Sequence, residues 1–263
     1  MSSSTITATL TTNCPELERI QSYLKENSKS ESLWTEETSE LIAINGDLDC
    51  LRYAHENGCS WNETTCAGAA YNGNLECLRY AHENGCPLDG RLQGICCNHA
   101  ALGNNLKCLE YLHENSCFWD KETCYNAVIA GSLDCLRYAH EKGCPWDSLT
   151  YIYAIKGSGK KSGGYLNCIK YLYENGCPWA KYTCKYAAEY GYLDCLKYAN
   201  ENGCPLQYLT CYGKDNISAI AAKNNHLDCL RYVHENGCVI DTKYIDILFL
   251  EPSIQKYVLQ KGC

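Results

Sequence analysis

The twelve residues LDCLRYAHENGC, Leu48 to Cys59, decide how this chain of 263 residues is read. They return as LECLRYAHENGC (Leu75 to Cys86), LKCLEYLHENSC (Leu106 to Cys117), LDCLRYAHEKGC (Leu133 to Cys144), LNCIKYLYENGC (Leu166 to Cys177), LDCLKYANENGC (Leu193 to Cys204) and LDCLRYVHENGC (Leu227 to Cys238). Recurrence of one phrase along a chain marks a repeat architecture, in which each unit buries its apolar face only by stacking on its neighbours. Within the phrase, Leu48, Leu51 and Ala54, with Cys50 and Tyr53 beside them, form the apolar stripe of a helix. Asp49 sits in the first turn, where the helix dipole favours an anion. Asn57-Gly58 stops the helix, because glycine adopts the left-handed cap conformation without a steric penalty. Pro87, Pro145, Pro178 and Pro205 then block any continuation.

A second helix precedes each copy. Trp34, Trp61, Trp119 and Trp179 each lie fourteen residues before the matching Leu48, Leu75, Leu133 and Leu193. After the tryptophan comes a polar start such as Asn62 or Asp120, a good N-cap. A helix body follows (Cys66 to Tyr71, Cys124 to Ala130, Cys184 to Tyr190) and closes at Gly73, Gly131 or Gly191. Each unit is therefore helix A, a tight glycine turn, helix B, then GCPW. The closing cysteines are spaced 27, 31, 27, 33, 27 and 34 residues apart, so the base period is 27. Three insertions account for the rest: PLDGRLQGI before one helix A (Pro87 to Ile95), KGSGKKSGG between two helices (Lys156 to Gly164), and CYGKDN near the start of another helix A (Cys211 to Asn216). The repeats run approximately 34–59, 61–86, 88–117, 119–144, 146–177, 179–204 and 206–238. A capping helix is expected at 13–28 and a short disordered tail at 1–12, where neither a basic n-region nor an apolar h-region of a signal peptide appears. Residues 240–263 read as the C-terminal cap, with an apolar helix A over Tyr244 to Leu250 and an aberrant helix B over Ser253 to Lys261.

The phrase GNLECLRYAHENGCP (Gly73 to Pro87) resembles the ankyrin consensus GHLEVVKLLLENGAD, and TCAGAAYNG (Thr65 to Gly73) resembles TPLHLAAxxG. The likeness repeats in register over nearly the whole chain, and it looks most like the short Cys- and Trp-containing ankyrin-type arrays of large DNA viruses of protists. The ankyrin period is 33 residues, and the residues missing between Gly58 and Thr65 are those of the ankyrin β-hairpin. The expected fold is therefore all-α: an ankyrin-like helix-turn-helix solenoid, a right-handed stack of about seventeen helices with the β-hairpins largely missing. The resemblance implies a non-enzymatic protein-interaction scaffold or adaptor that binds on the concave surface lined by the A helices. A ubiquitin-ligase substrate adaptor is one form this could take, with the ligase recruited by another subunit.

The formal net charge of −8 argues against nucleic acid or an anionic membrane as partner for the bulk surface, Lys160-Lys161 being the one basic candidate. No run approaches the roughly 20 apolar residues of a membrane span. The 22 cysteines follow the repeat. Equivalent positions in stacked helices lie about 10 Å apart, beyond the roughly 4.4–6.8 Å between Cα atoms that a disulfide allows. They read as small buried hydrophobes in a reducing cytoplasm, the host's if the origin is viral. The alternative is a thiol protein that binds soft metal or buffers redox state.

Other motifs carry less. The histidine ladder His55, His82, His113, His140 and His234 is interrupted by Tyr173 and Asn200, which suits packing on helix B rather than metal binding. Cys96-Cys97-Asn98-His99 lacks the C-x₂₋₄-C spacing of a zinc site. Gly159-Lys160-Lys161 lacks the Ser or Thr and the preceding strand of a phosphate loop. No nucleophile–base pair stands out, so neither an enzyme nor a cofactor is expected, and the array reads as a monomer. Helix B varies little between copies, because every copy packs on the same neighbours. Helix A varies at the two positions after its cysteine and the two before its glycine, which are therefore expected to be exposed on one face. The candidate partner-binding residues are Tyr71, Tyr125, Asn126, Ile129, Tyr153, Lys185, Tyr186, Glu189 and Tyr190, tyrosine being enriched at interface hot spots.

Overall fold

The repeated phrase folds as a nine-residue helix in six of its copies and as the last nine residues of a longer one in the remaining copy. The computed structural model describes residues 35–89, 93–157, 164–206 and 216–262. In chain order the helices are α1 (Glu36–Asn45), α2 (Leu48–Glu56), α3 (Glu63–Asn72), α4 (Leu75–Glu83), α5 (Ile95–Leu102), α6 (Leu106–Glu114), α7 (Lys121–Ala130), α8 (Leu133–Glu141), α9 (Leu149–Gly157), α10 (Gly164–Glu174), α11 (Thr183–Glu189), α12 (Leu193–Glu201), α13 (Ile217–Lys223), α14 (Leu227–Glu235) and α15 (Pro252–Lys261). Odd numbers up to α13 are A helices and even numbers are B helices. No strand occurs among the described residues, as the missing hairpin requires. The expected tail at 1–12, the capping helix at 13–28, Trp34 and most of the second and third insertions lie outside the described residues.

The B helices bury Cys50, Leu51 and Ala54, then Cys77, Leu78 and Ala81, and so on to Cys229, Leu230 and Val233. The buried stripe is thus i, i+1, i+4 counted from the cysteine. Leu48 is only half-buried, a correction to its place at the head of the stripe. At 100° per residue the three buried positions span about 100° of arc, and Leu48 lies outside it.

Both halves of the Asn-Gly stop signal are used. Gly58 has φ +86°, its N–H bonds the His55 carbonyl at 2.9 Å, and the Cys59 N–H bonds Ala54 O at 2.9 Å. This is a Schellman motif, which satisfies carbonyls the helix end leaves open. The asparagine adds a bond of its own: Nδ2 of Asn57, Asn84, Asn115, Asn175, Asn202 and Asn236 donates to the carbonyl four residues back, at 2.8 Å each time.

At the other end, Asn62 and Asp120 cap their A helices as expected, accepting from Thr64 N–H at 2.9 Å and Glu122 N–H at 2.8 Å. The chain then closes each unit with sulfur. Cys86 Sγ donates to Asn62 O at 3.0 Å and Cys144 Sγ to Asp120 O at 3.0 Å, tying the end of a unit back to its first cap. The same thiols meet the cysteine of their own A helix: Cys66 with Cys86 and Cys124 with Cys144. Eighteen described cysteines are free and buried. Cys50 is the exception, being disulfide-bonded, so the expectation of thiols throughout is corrected there. The spacing argument concerned equivalent cysteines of stacked units and leaves a partner elsewhere in the chain open.

The chain divides into two compact units, Met1–Phe118 and Trp119–Cys263. In the first, α1, α3 and α5 pack side by side as one row, and α2, α4 and α6 as the other. In the second, α7, α9, α11 and α13 form the A row, and α8 to α14 the B row. Consecutive units of the first block are clamped by a residue just ahead of helix B. Asn74 Nδ2 donates to Ala43 O at 2.9 Å and Ile44 O at 2.7 Å. Asn105 Nδ2 does the same to Ala70 O at 3.0 Å and Tyr71 O at 2.6 Å. Each asparagine thereby finishes the A helix of the preceding unit. At roughly 0.5–1.5 kcal/mol per hydrogen bond, Asn105→Ala is expected to lower stability by about 1–2 kcal/mol in urea unfolding. A loss under about 0.5 kcal/mol would show that the clamp contributes nothing.

The C-terminal cap departs from the sequence reading. The helix expected over Tyr244 to Leu250 is replaced by two 3₁₀ turns, Thr242–Tyr244 and Ile247–Phe249, with Ile245 extended between them. Ile245 and Leu250 are buried, while Leu248 and Phe249 are 86 % and 83 % exposed. Five residues along an α-helix turn through about 140°, so two buried anchors at that spacing would face different ways. The expected helix B is present as α15. No helix among the described residues is long and apolar enough to cross a membrane.

Candidate partner-binding faces

Helix B spends its polar rings on packing. His55 stacks on Trp61 with centroids 3.8 Å apart, His140 on Trp146 at 3.7 Å, and Tyr173 replaces them on Trp179 at 5.4 Å. The ladder position also bonds the tyrosine of the next unit: His82 Nδ1 to Tyr111 Oη at 2.8 Å, His140 Nδ1 to Tyr171 Oη at 3.1 Å, and Asn200 Nδ2 to Tyr232 Oη at 3.0 Å. The histidine ladder is a packing element. Among the described residues no group of three or more His, Cys, Asp or Glu could hold a metal ion.

The A rows differ from this. In the first unit, Tyr71 near the end of α3 is 45 % exposed and meets the His99 ring edge-on at 6.0 Å. Beside it α1, α3 and α5 enclose a cavity of about 400 Å³. Its walls are Ile44, Ala67, Ile95 and Leu102, and its polar groups come from Glu40, Thr64, Asn72 and His99. Gly68 stands in the middle of α3, where glycine costs about 1 kcal/mol relative to alanine. A Cβ there would come within 2.8 Å of Ile44 Cγ1, so the glycine lets α1 approach and keeps the cavity open. Glu40 Oε2 accepts from Thr64 Oγ1 at 2.8 Å. His99 Nδ1 is buried without a hydrogen-bond partner. Burial holds the His99 imidazole below its ordinary value of 6.5, against the pull of Glu40, and so keeps it neutral.

In the second unit the variable positions cluster. Tyr125 of α7 stacks on Tyr153 of α9, with centroids 4.4 Å apart and rings 27° from parallel. The Tyr125 hydroxyl donates to Asp147 Oδ1 at 2.7 Å, and Lys121 Nζ reaches Asp147 Oδ2 at 3.4 Å. Burial raises the Asp147 carboxyl, but the bonds from Tyr125, the Leu149 N–H and Lys121 together hold it below its ordinary value. Burial, then the bond to Asp147, pushes the Tyr125 phenol up. Lys156 Nζ lies 4.6 Å above the Tyr186 ring, a cation–π contact. Tyr190 stacks parallel to Tyr192 at 6.2 Å.

Exposure divides the candidates. Tyr71, Tyr153 and Tyr190 are exposed, the last two at 38 % and 41 %. Asn126, Ile129, Lys185, Tyr186 and Glu189 are half-buried. Tyr125 is only 7 % exposed, so the expectation that a variable position is an exposed one fails there. A residue at this place varies because it packs on the equally variable Tyr153, not because packing ignores it. Asp147 and Lys121, which the structure joins to Tyr125, were missed. The signal was present in the capping aspartates that follow Trp119 and Trp146.

No protein-family model matches the chain, and no curated protein matches it in sequence. The solved structures do: the crystal structure of the human ASB11 ankyrin repeat domain superposes with a TM-score of 0.61 at 18 % identity, covering 75 % of this chain and 97 % of that one. At this identity the likeness shows the fold, an ankyrin-like helical repeat.

Proposed function

We propose that this chain is a non-enzymatic scaffold or adaptor that captures a partner protein on its A-helix face, acting as a monomer in the cytoplasm. One observation carries the reading: the A rows expose Tyr71, Tyr153 and Tyr190, whereas among the described recurring B-helix rings only Tyr173 is exposed and the others are half-buried in packing. Exposed aromatics on the A row of each unit suit a site for association. Around them Asn126, Ile129, Lys185, Tyr186 and Glu189 supply a half-buried polar and apolar margin, and Tyr125 supports Tyr153 from beneath. The viral ankyrin-type arrays that the sequence resembles are consistent with a host protein as partner.

The test is capture from host lysate followed by substitution. Tyr186→Ala combined with Tyr190→Ala is expected to weaken capture by thirtyfold or more, since a hot-spot truncation costs about 2 kcal/mol or more, and to leave the melting temperature nearly unchanged. Tyr198→Ala on helix B removes the edge contact to Tyr173 at 6.1 Å. It is expected to lower stability by about 1 kcal/mol or more and to spare capture by the folded fraction. If the A-helix pair leaves capture intact, this face is not the site.

A further inference from the structure

The cavity between α1, α3 and α5 has a sign. The carboxylate that lines it is Glu40, and the three helices carry not one Lys or Arg. Glu40, at the cavity, has no basic partner among the described residues. Its Oε2 lies 2.8 Å from the Thr64 hydroxyl, whose single hydrogen it shares with Asn62 Oδ1 at 2.7 Å, which leaves Oε1 to accept from a ligand. His99 also lines the cavity, although its Nδ1, buried without a partner, is itself closed off from it. Between these polar groups the wall is aliphatic, Ile44, Ile95 and Leu102, with the Tyr71 ring at the mouth.

We infer that this cavity receives a lysine side chain presented by the partner protein, with its ammonium held by Glu40 and its methylene stem lying along Ile44, Ile95 and Leu102. The inference rests on the scaffold reading and adds the chemistry of the partner. An anion is disfavoured by the Glu40 carboxylate, and a purely apolar side chain would leave that carboxylate without a cation, which is costly once water is excluded. Lysine suits the site better than arginine. Its ammonium is a compact charge with three rotatable donors, whereas guanidinium recognition depends on a bidentate fork to one carboxylate, and the Thr64 hydroxyl crowds one oxygen of that carboxylate. A volume of about 400 Å³ is at the small end for a ligand site and has room for one long side chain with its backbone.

The experiment uses the full-length protein and two short end-capped peptides, acetyl-Ala-Ala-Lys-Ala-Ala-amide, whose one charge is the lysine ammonium, and the same peptide with norleucine for lysine, titrated while the His99 and Tyr71 ring signals are followed by NMR. The lysine peptide is expected to shift both rings saturably, with Kd of about 1 mM or below, and the norleucine peptide to bind about tenfold more weakly or not at all. Glu40→Gln, which keeps the shape and the Thr64 contact, is expected to weaken the lysine peptide about tenfold. Gly68→Ala, which narrows the cavity without touching its charge, is expected to weaken both peptides. Equal binding of the two peptides, no saturable shift, or an unchanged affinity in Glu40→Gln would each overturn the proposal. The scaffold reading is tested separately by Tyr186 and Tyr190, which lie in the other unit. A cavity that ignores lysine while those substitutions abolish capture leaves the scaffold standing and removes only the lysine site.

Discussion

Replacing Tyr151 with alanine is expected to destabilise the second unit by about 3–5 kcal/mol, the range for emptying an aromatic site in a packed core. Tyr151 occupies the place in α9 that Cys66, Cys124 and Cys184 occupy in α3, α7 and α11. It is fully buried, and its ring packs 4.3 Å from Trp179 between centroids. Its hydroxyl donates to Cys177 O at 3.0 Å, the closing residue that elsewhere meets a cysteine side chain. One large residue thus does in this unit what a pair of thiols does in the others. Tyr151→Phe removes only the hydroxyl and strands the carbonyl it served, a loss of about 1–2 kcal/mol. Urea unfolding of both variants separates the contributions. Should alanine cost no more than phenylalanine, the ring is not the support that its burial indicates.

Gly103→Ala is expected to be the most damaging glycine substitution in the first unit, at about 3 kcal/mol, the upper end for overpacking. The backbone at Gly103 is ordinary αR, with φ −76°, so conformational freedom is not the reason for glycine. A Cβ would collide with the Tyr71 carbonyl oxygen and come within 2.6 Å of Asn105 Nδ2. That carbonyl is fixed by the same Asn105 amide at 2.6 Å, so it cannot yield without breaking the clamp between units. Gly58 is the opposite case: its φ is +86° and nothing lies within 4 Å of a built Cβ. Gly58→Ala therefore costs only the left-handed strain, roughly 1–2 kcal/mol. Thermal or urea unfolding of the two variants decides between proximity and backbone strain, and a larger loss at Gly58 would reverse the assignment.

The reach of the sequence reading follows the range of the interactions. Helix B, its Asn-Gly stop, the A-helix caps at Asn62 and Asp120, and the all-α architecture rest on bonds closed within about five residues, and periodicity with cap chemistry shows those directly. The pairing of His82 with Tyr111, the Asn74 and Asn105 clamps, and the closure of Cys86 onto Asn62 span 24 to 35 residues. They become visible only once units are stacked. The same limit explains Tyr125. Its variability between copies was legible, but its burial was decided by Tyr153 and Asp147 arriving from the next unit. At the C-terminal cap the apolar run Tyr244 to Leu250 carried no helical period strong enough to override the two anchors Ile245 and Leu250, and burial of both set the backbone. The cavity in the first unit is wholly a product of tertiary structure. Glu40, Gly68 and His99 lie on three helices, with no local pattern that joins them, and become one site because Gly68 and Gly103 let neighbouring A helices come close.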